Sequence, residues 1–310
     1  MAGASGEAGT GVERLGPRLP SPLEELRDAR FLARGVRLAL KRDDLIHPEL
    51  VGNKWRKLAP NLATAGDRTV VTFGGAYSNH LRATAAAGRL LGVPTIGVVR
   101  GEELAGRPLN PSLARCASEG MRLRFVDRAT YRRASEPEVV AALLTEFGLG
   151  ADGACVIPEG GSNAAAVRGC LPLGEELRGR ADVIAVACGT GGTLAGLAAG
   201  LGPRQRALGI PVVGGGFLAG ATTALQHAAF GGPRGRWSLD ERFHCGGYAR
   251  VPAHLRAFAA DFEQRHGLAV ERLYVAKLLW ALLSLTEEGA FPAGTRLVAV
   301  VTGRPGPEAV

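Results

Sequence analysis

Lys54 is the residue of this chain whose type and neighbours best suit covalent chemistry. It follows Gly52 and Asn53 and opens a helix-forming run that also contains Lys57. The chain uses arginine for most of its positive charge and has only four lysines. A desolvated lysine can lose its proton near neutral pH and attack a carbonyl, whereas the guanidinium of arginine stays charged. Lys54 is therefore a candidate Schiff-base lysine. The alternative is that Lys54 and Lys57 lie on a solvated helix face, and the run taken by itself favours this alternative.

A glycine-rich turn follows the predicted strand at 183–187 and precedes a predicted helix. Its residues are Gly189, Thr190, Gly191, Gly192 and Thr193. Consecutive glycines let backbone N–H groups converge on an anion, and the N-terminus of a helix adds a partial positive charge. No lysine follows the glycines, so the turn is not a Walker loop. It is a candidate phosphate site, and a tight turn without a ligand is the alternative.

Two other predicted strands, at 69–73 and 154–157, also end in polar loops. Their polar residues of interest are Ser78, Asn79, His80 and Ser162. Ligands of open α/β sheets bind beyond the carboxyl ends of the strands, so these side chains are candidates for a binding site. The simpler alternative is that Ser78 or Asn79 only caps the following helix.

Two tyrosines stand out because the chain has only four. Tyr248 follows a pair of glycines, and Tyr274 precedes a predicted helix. Packing is the usual role of a tyrosine, so core or surface filling remains the alternative for both.

Short apolar runs alternate with helical patterns along most of the chain, which indicates βαβ units. The predicted strands are 36–41, 69–73, 95–99, 122–126, 154–157, 183–187, 211–213 and 296–301. The predicted helices are a short one at 20–26, one that ends near 65, and 81–91, 111–119, 137–147, 193–200, 252–266 and 275–288. We therefore predict an α/β fold of open, mostly parallel twisted sheets flanked by helices.

Composition and charge argue against several classes of protein. The length of 310 residues, with 46% hydrophobic residues and 45 glycines, is typical of a soluble α/β protein of one large or two ordinary domains. The net charge is +8, but the basic residues are scattered and aromatic residues make up only 5%, so we expect no nucleic-acid partner. No apolar run approaches the ~18–20 residues of a membrane span, so we expect no membrane association.

The cysteines and the N-terminal segment indicate a cytoplasmic protein. The five cysteines are odd in number and form no C-x-x-C pair, which predicts reduced thiols and no metal site. Residues 1–19 lack the apolar core of a signal peptide, so we predict a disordered leader there.

Taken together, the motifs resemble one family of enzymes. The resemblance is to the tryptophan-synthase-β-like group of pyridoxal-phosphate enzymes, in the branch that holds D-cysteine desulfhydrases and 1-aminocyclopropane-1-carboxylate deaminases. It runs from about 20 to 306. The segments that carry it are 41–45, 52–58, 74–80, 160–163, 188–193, 246–248 and 301–303.

The resemblance implies a fold and a cofactor. The expected fold is the two-domain fold type II of pyridoxal-phosphate enzymes. Residues 20–55 and 166–310 would form a large domain that binds pyridoxal 5'-phosphate, and residues 56–165 would form a small α/β domain. A homodimer that acts on a small amino acid is also implied.

The resemblance also implies which residues hold the cofactor. Lys54 would bind its aldehyde carbon through a Schiff base, and the turn at 189–193 would bind its phosphate. Asn79 would donate a hydrogen bond to the ring hydroxyl, Thr302 would face the ring nitrogen, and Asn53 would be a further contact. A hydroxyl at the ring nitrogen need not protonate the ring, which weakens the electron sink and favours elimination.

The remaining implied roles concern the substrate. Ser78 would lie near the substrate carboxylate or Cα, with Lys54 or Ser78 as the proton shuttle. Tyr248 and Tyr274 would flank the ring and the substrate. Further substrate contacts are expected from Asn79, His80 and Ser162.

Elimination from D-cysteine, which yields pyruvate, sulfide and ammonia, is the activity expected first. Ring-opening deamination of 1-aminocyclopropane-1-carboxylate is the second expectation, although its enzymes have glutamine where this chain has His80. A cofactor-binding protein with little turnover is the alternative from another class. It is motivated by Val275, Val301 and Arg304, which depart from the family pattern.

Overall fold

The computed structural model describes residues 11–305, which form two β-sheets with helices packed against them. The predicted α/β fold with mostly parallel sheets is confirmed. None of the helices between residues 11 and 305 has the length and apolar character needed to span a bilayer.

The two sheets differ in size and share no strand. In chain order the strands are β1 (Leu23–Leu26), β2 (Arg37–Lys41), β3 (Thr69–Gly74), β4 (Thr95–Arg100), β5 (Arg122–Val126), β6 (Ala154–Ile157), β7 (Val183–Cys188), β8 (Arg206–Pro211), β9 (Trp237–Leu239) and β10 (Arg296–Val300). The larger sheet has the order β1-β2-β10-β7-β8-β9, and only β1 is antiparallel to its neighbour. The smaller sheet has the order β5-β4-β3-β6 and is parallel throughout.

Helices connect the strands and cover both sheets. In chain order they are α1 (Ala29–Leu32), α2 (Asn53–Ala65), α3 (Asn79–Leu91), α4 (Pro111–Ser118), α5 (Arg128–Arg132), α6 (Pro137–Glu146), α7 (Ala164–Glu175), α8 (Gly192–Gly200), α9 (Leu218–Phe230), α10 (Ala253–His266) and α11 (Val275–Glu287). Alternate residues of β7 pack into two different apolar clusters, one with α10 and α11 and the other with α7 and α8. Both faces of β7 are therefore buried, which explains why all six of its residues are apolar.

Several sequence predictions of single elements were wrong. Residues 20–26 were expected to include a short helix, but Leu23–Leu26 is a strand in which Leu23 pairs with Lys41 of β2. Pairing across the sheet overrides the helix propensity of the glutamates in this segment. The strand expected at 211–213 lies at Arg206–Pro211 instead, because its partners are β7 and β9.

Four helices, α1, α5, α7 and α9, and the edge strand β9 were not predicted. α7 contains Pro172 and several glycines, which disfavour a helix in isolation. It forms because it packs closely on α8, where a Cβ atom at Gly196 would lie 2.3 Å from the carbonyl oxygen of Val167.

The predicted leader falls partly outside the described residues, since 1–10 are not among them. In the described part, Glu13–Leu15 form a short 3-10 turn. The neighbouring Val12 is 3% exposed and packs in the apolar cluster that includes residues of α2 and α3. Unlike the expected disorder, this part of the segment is held by apolar contacts.

Candidate active site

A cavity of about 870 Å³ lies where the carboxyl ends of strands from both sheets approach each other. The loops after β3, β6, β7 and β10 all contribute to its wall. Ten of the residues predicted from the sequence line it. They are Asn53, Lys54, Ser78, Asn79, His80, Gly189, Thr190, Tyr248, Tyr274 and Thr302.

Lys54 lies in the first turn of α2 and faces this cavity. Gly52 brings α2 against the loop after β10, because its φ is +71° and a Cβ atom there would lie 1.8 Å from the carbonyl oxygen of Thr302. The backbone N–H of Asn53 donates to the same oxygen at 3.3 Å. Only glycine permits this approach. The start of α2 is thereby held beside Thr302.

Burial and a second lysine make Lys54 a weak base. Desolvation by burial, followed by the positive charge of Lys57, lowers the pKa of Lys54 from 10.5 to about 7. Within residues 11–305 its amine makes no ion pair that would oppose this effect. About half of the Lys54 side chains are therefore neutral, nucleophilic amines at neutral pH.

A buried ionic cluster holds the helix that carries Lys54. Arg56 donates from Nε to Asp43 at 2.8 Å and from Nη1 to Glu176 at 2.9 Å. Lys41, which is 2% exposed, forms an ion pair with Glu176 at 2.5 Å. These contacts join β2, α2 and α7. Arg56 therefore fixes the first turn of α2 relative to both neighbouring elements.

The glycine-rich turn after β7 lies next to the lysine helix. The Nδ2 of Asn53 donates to the Oγ1 of Thr193 at 2.9 Å. The ammonium of Lys57 donates to the Oγ of Ser162 at 2.8 Å and lies 3.4 Å from the Oγ1 of Thr190. A cationic side chain, hydroxyl groups and the N-terminus of the nine-residue helix α8 thus converge at one place.

This place fits a phosphate group. A Cβ atom at Gly192 would lie 2.9 Å from the Oγ of Ser162 and 3.2 Å from the Nζ of Lys57, so a side chain there would occupy the space before the helix. Backbone N–H groups at a helix N-terminus together with an ammonium are the features that bind phosphate in other proteins. Lys57 was not among the predicted site residues, although its position three residues after Lys54 places both on one side of α2.

Four predicted residues lie beside the cavity rather than in its wall. Ser162 forms a hydrogen bond at 2.5 Å with the Oγ1 of Thr190, which does line the cavity. Ser162 therefore lies beside the glycine-rich turn, and its predicted contact with the substrate stays a prediction. The other three, which continue the turn into α8, are Gly191, Gly192 and Thr193.

His80 is buried and has one nitrogen without a partner. Its Nε2 lies 2.8 Å from the Oγ1 of Thr72, and that hydroxyl donates its single proton to the carbonyl oxygen of Ile157. The hydroxyl must therefore accept from Nε2, which places the ring proton there and leaves Nδ1 as an acceptor. Within the described residues Nδ1 has no hydrogen-bond partner. Burial and the charges of Lys54 and Lys57 hold the pKa of His80 well below 6.5, so the ring is neutral.

Ser78 and Asn79 begin helix α3 at the rim of the cavity. The Oγ of Ser78 accepts from the backbone N–H of Leu81 at 3.2 Å, which is the capping role that the simpler reading expected. Ser78 nevertheless lines the cavity. The Oδ1 of Asn79 accepts a hydrogen bond from Arg82, so its NH₂ group is the part available as a donor.

Tyr248 and Tyr274 form one wall of the cavity. Their ring centroids are 5.7 Å apart with an interplanar angle of 72°, an edge-to-face contact. Glu271 accepts backbone hydrogen bonds from Leu273 and Tyr274 at 2.7 Å each. It lines the cavity, and burial raises its pKa. The sequence had not indicated Glu271, which orients the segment that presents Tyr274.

The three departures from the family pattern lie in different places. Val275 is 1% exposed and packs in the apolar core, so it adds no group to the cavity wall. Val301 is buried as well, and its backbone N–H donates to the carbonyl oxygen of Lys41. Arg304 is exposed and lines the cavity. Of the three, only Arg304 can contact a bound molecule directly.

A lysine amine with a lowered pKa and a turn suited to an anion line one cavity between two mostly parallel sheets. This combination is typical of an enzyme that uses a phosphorylated carbonyl cofactor. The family model described as pyridoxal-phosphate dependent enzyme matches residues 17–303. The chain therefore belongs to this family, whose members depend on pyridoxal phosphate, and the resemblance seen in the sequence is confirmed. The residues around Lys54 and the turn fit that cofactor.

Individual relatives agree with this family. The chain is 32% identical over 197 residues to the mitochondrial bifunctional D-cysteine desulfhydrase/1-aminocyclopropane-1-carboxylate deaminase of Arabidopsis thaliana; the match covers 59% of this chain and 49% of the relative. The chain thus spans about half the length of that relative. It is 30% identical over 288 residues to a Pyrococcus horikoshii protein provisionally named a 1-aminocyclopropane-1-carboxylate deaminase, with 87% of this chain and 85% of the relative covered.

A solved structure extends the similarity to the whole fold. The crystal structure of an ACC deaminase homologue superposes with a TM-score of 0.77 and 27% sequence identity. The superposition covers 91% of this chain and 89% of the other. The two proteins therefore share the same overall fold over most of their length.

Proposed function

We propose that this protein is a pyridoxal-phosphate-dependent lyase that performs β-elimination on a small amino acid, with D-cysteine as the first candidate. One observation carries the proposal. The amine of Lys54, with a pKa of about 7, lies in the same cavity as the turn at Gly189, and the hydrogen bond from Asn53 to Thr193 joins their two helices. A molecule with an aldehyde and a phosphate could be held at both ends.

The residues of the chain would divide the remaining work. Bound pyridoxal phosphate supplies an acceptor for the negative charge that develops at the substrate Cα. Lys57 and the turn would hold the phosphate, while the NH₂ group of Asn79 and the hydroxyl of Thr302 would contact the ring. The amine of Lys54 would be the natural base for the Cα proton, because its pKa of about 7 leaves part of it deprotonated at neutral pH. Ser78 is the second candidate for that proton.

The overall reaction balances without a further reagent. The Cα–H proton goes to a base, and the Cβ–S bond breaks with its electron pair on sulfur, which leaves as hydrosulfide. The resulting 2-aminoacrylate takes up a proton and becomes an imine. Water hydrolyses the imine to pyruvate and ammonia.

Reconstitution of the purified chain with pyridoxal phosphate tests the proposal. The protein should gain visible absorption from the lysine-bound cofactor, and sulfide and pyruvate should appear from D-cysteine but not from L-cysteine. Lys54→Ala and Lys54→Arg should both lose the absorption and the turnover, because neither can bind the aldehyde carbon. A wild-type protein that stays colourless would refute the proposal.

Other outcomes of the same experiment select the alternatives. If only 2-oxobutyrate from 1-aminocyclopropane-1-carboxylate appears, the protein is a deaminase of that ring. An absorbing protein whose spectrum no D- or L-amino acid changes would be a cofactor-binding protein. This chain has His80 at the position where the 1-aminocyclopropane-1-carboxylate deaminases have glutamine. This difference supports elimination over ring-opening deamination.

We also propose the division into domains, the assembly and the location that the sequence suggested. Residues 20–55 and 166–310 would form the large domain, because their strands make up the larger sheet, and 56–165 the small one. A cytoplasmic homodimer completes the proposal. Sedimentation of the purified protein tests the assembly, and a monomer at micromolar concentration would contradict it.

A further inference from the structure

Lys277 is a fully buried lysine that the proposed reaction does not use. It lies in the first turn of α11 and is 0% exposed. Within residues 11–305 no carboxylate forms an ion pair with its ammonium. Burial lowers its pKa, and Cys245 and the charge of Glu271 oppose this only in part. A charge in such a position needs other polar partners.

Among residues 11–305, the acceptors of its hydrogen bonds are all backbone carbonyl groups. The Nζ of Lys277 donates to the carbonyl oxygens of Gly247 at 2.7 Å and of His244 at 2.9 Å. Two further carbonyl oxygens, of Val212 and Tyr248, lie at 3.4 Å. We call these four oxygens the carbonyl cage. A group of carbonyl oxygens around one positive centre is how proteins bind monovalent cations.

The cage draws in a loop whose backbone is unusual. Cys245 has a φ of +57°, which L-residues other than asparagine and aspartate adopt rarely, and Gly246 and Gly247 have φ of +82° and +127°. Three successive residues of this kind turn the chain so that carbonyl groups on either side can face Nζ. The next residue is Tyr248, which lines the cavity. The ammonium therefore holds the backbone that presents Tyr248.

We propose that the carbonyl cage is a monovalent-cation site which the chain fills with the ammonium of Lys277, and that the filled site positions Tyr248 in the cavity wall. Lys277 is on this view a positioning residue. The second half of the proposal rests on the proposed function of the cavity, whereas the cation site itself does not. An ammonium ion or a potassium ion should enter the cage once the lysine side chain is shortened.

Thermal unfolding of the full-length chain in different salts tests the cation site. Lys277→Ala should unfold at a higher temperature in potassium or ammonium chloride than in tetramethylammonium chloride at equal ionic strength, with saturation as the salt is raised. The wild type should show no such difference. Lys277→Met should unfold early in every salt, because its side chain still fills the cage but carries no charge.

A second buried lysine provides the matched control. Lys41 is 2% exposed but pairs with the carboxylate of Glu176. Lys41→Ala should therefore lose stability without any preference for potassium. If Lys277→Ala unfolds at the same temperature in all salts, or fails to fold in all of them, the cation site is refuted.

Hydrogen exchange tests the positioning of Tyr248 independently of activity. In Lys277→Ala without potassium, amides 246–250 should exchange roughly tenfold faster than in the wild type, and potassium should slow them again. Amides of β4, which belongs to the smaller sheet, should exchange at the same rate in the variant and in the wild type. Unchanged exchange at 246–250, together with a potassium effect on unfolding, would leave the cation site standing and refute the role toward Tyr248.

Discussion

Replacing Lys57 with methionine should raise the pKa of Lys54 but leave it below that of an exposed lysine. Two causes lower the pKa of Lys54 to about 7, and burial is the larger. The positive charge of Lys57 is the second cause. The substitution removes only the second, because the cavity wall around Lys54 is unchanged. Lys57→Arg keeps the charge and serves as the matched control.

The size of the effect follows from the spacing of the two lysines. Side chains three residues apart on a helix begin about 5–6 Å from each other. Two unit charges roughly 6 Å apart, at an effective dielectric constant of about 20–40, repel by about 1.4–2.8 kcal/mol. This energy corresponds to a rise of the pKa of Lys54 from about 7 to about 8–9. At pH 7 the neutral fraction of Lys54 should fall from about one half to roughly 1–10%.

Competitive labelling with trace acetic anhydride between pH 5 and 10 measures this pKa in the cofactor-free protein. Mass spectrometry of the peptide with Lys54 gives the labelled fraction, and a free amino acid added to the reaction is the internal reference. We expect a midpoint near pH 7 for the wild type and for Lys57→Arg, and near pH 8–9 for Lys57→Met. Equal midpoints in Lys57→Met and the wild type would show that the two amines do not interact.

Further predictions concern stability and cofactor binding. The pKa of Lys54 is about 7 in the folded protein and 10.5 in the unfolded chain, so the unfolded chain binds more protons between pH 7 and 10.5. The urea midpoint of the cofactor-free protein should therefore rise with pH in that range. In Lys54→Met the urea midpoint should depend less on pH. Gly52→Ala should destabilise by more than about 3 kcal/mol in urea unfolding, since its Cβ atom would overlap a carbonyl oxygen. Gly66→Ala is the matched control, because Gly66 has a similar backbone conformation (φ +58°, ψ −136°) but open space around it, and should cost only about 1–3 kcal/mol. Arg56→Met should cost about 3–5 kcal/mol by the same measurement, because it leaves the buried carboxylate of Asp43 without its ion-pair partner and Glu176 with Lys41 alone. A loss below about 1 kcal/mol would contradict the role of the cluster. Lys57→Met should weaken pyridoxal phosphate roughly 10–100-fold more than pyridoxal in fluorescence titration, because pyridoxal lacks the phosphate, whereas the raised pKa of Lys54 affects both aldehydes equally.

Strongly patterned elements could be located from the sequence alone. The strands at 122–126 and 154–157 have the predicted bounds, and the predicted helix at 252–266 differs by one residue from the helix found. Buried parallel strands are continuous apolar runs, and glycine-rich turns mark their ends, so both leave local signals. The sequence of β1 has no apolar run that would predict a strand. Leu23–Leu26 is extended because it pairs with β2.

For the site, the sequence by itself determined which residue types are available. Three features could be recognised in this way: Lys54, the turn at 189–193 and the polar loop at 78–80. A nucleophile, a glycine-rich turn and a helix cap each depend on residue types and on spacing over a few residues, and both can be read from the sequence. Their presence at one cavity follows from the parallel arrangement, in which the carboxyl ends of neighbouring strands lie at one edge.

Only the tertiary structure decided which distant groups meet. Lys57 reaches Ser162 and Thr190 across more than one hundred residues of chain, and Lys277 reaches carbonyl oxygens of a loop about thirty residues earlier. The pKa of Lys54 likewise depends on desolvation, which results from packing of the whole cavity wall. Burial and contacts between distant segments have no counterpart in local sequence, because they arise only when the two sheets and their helices pack together.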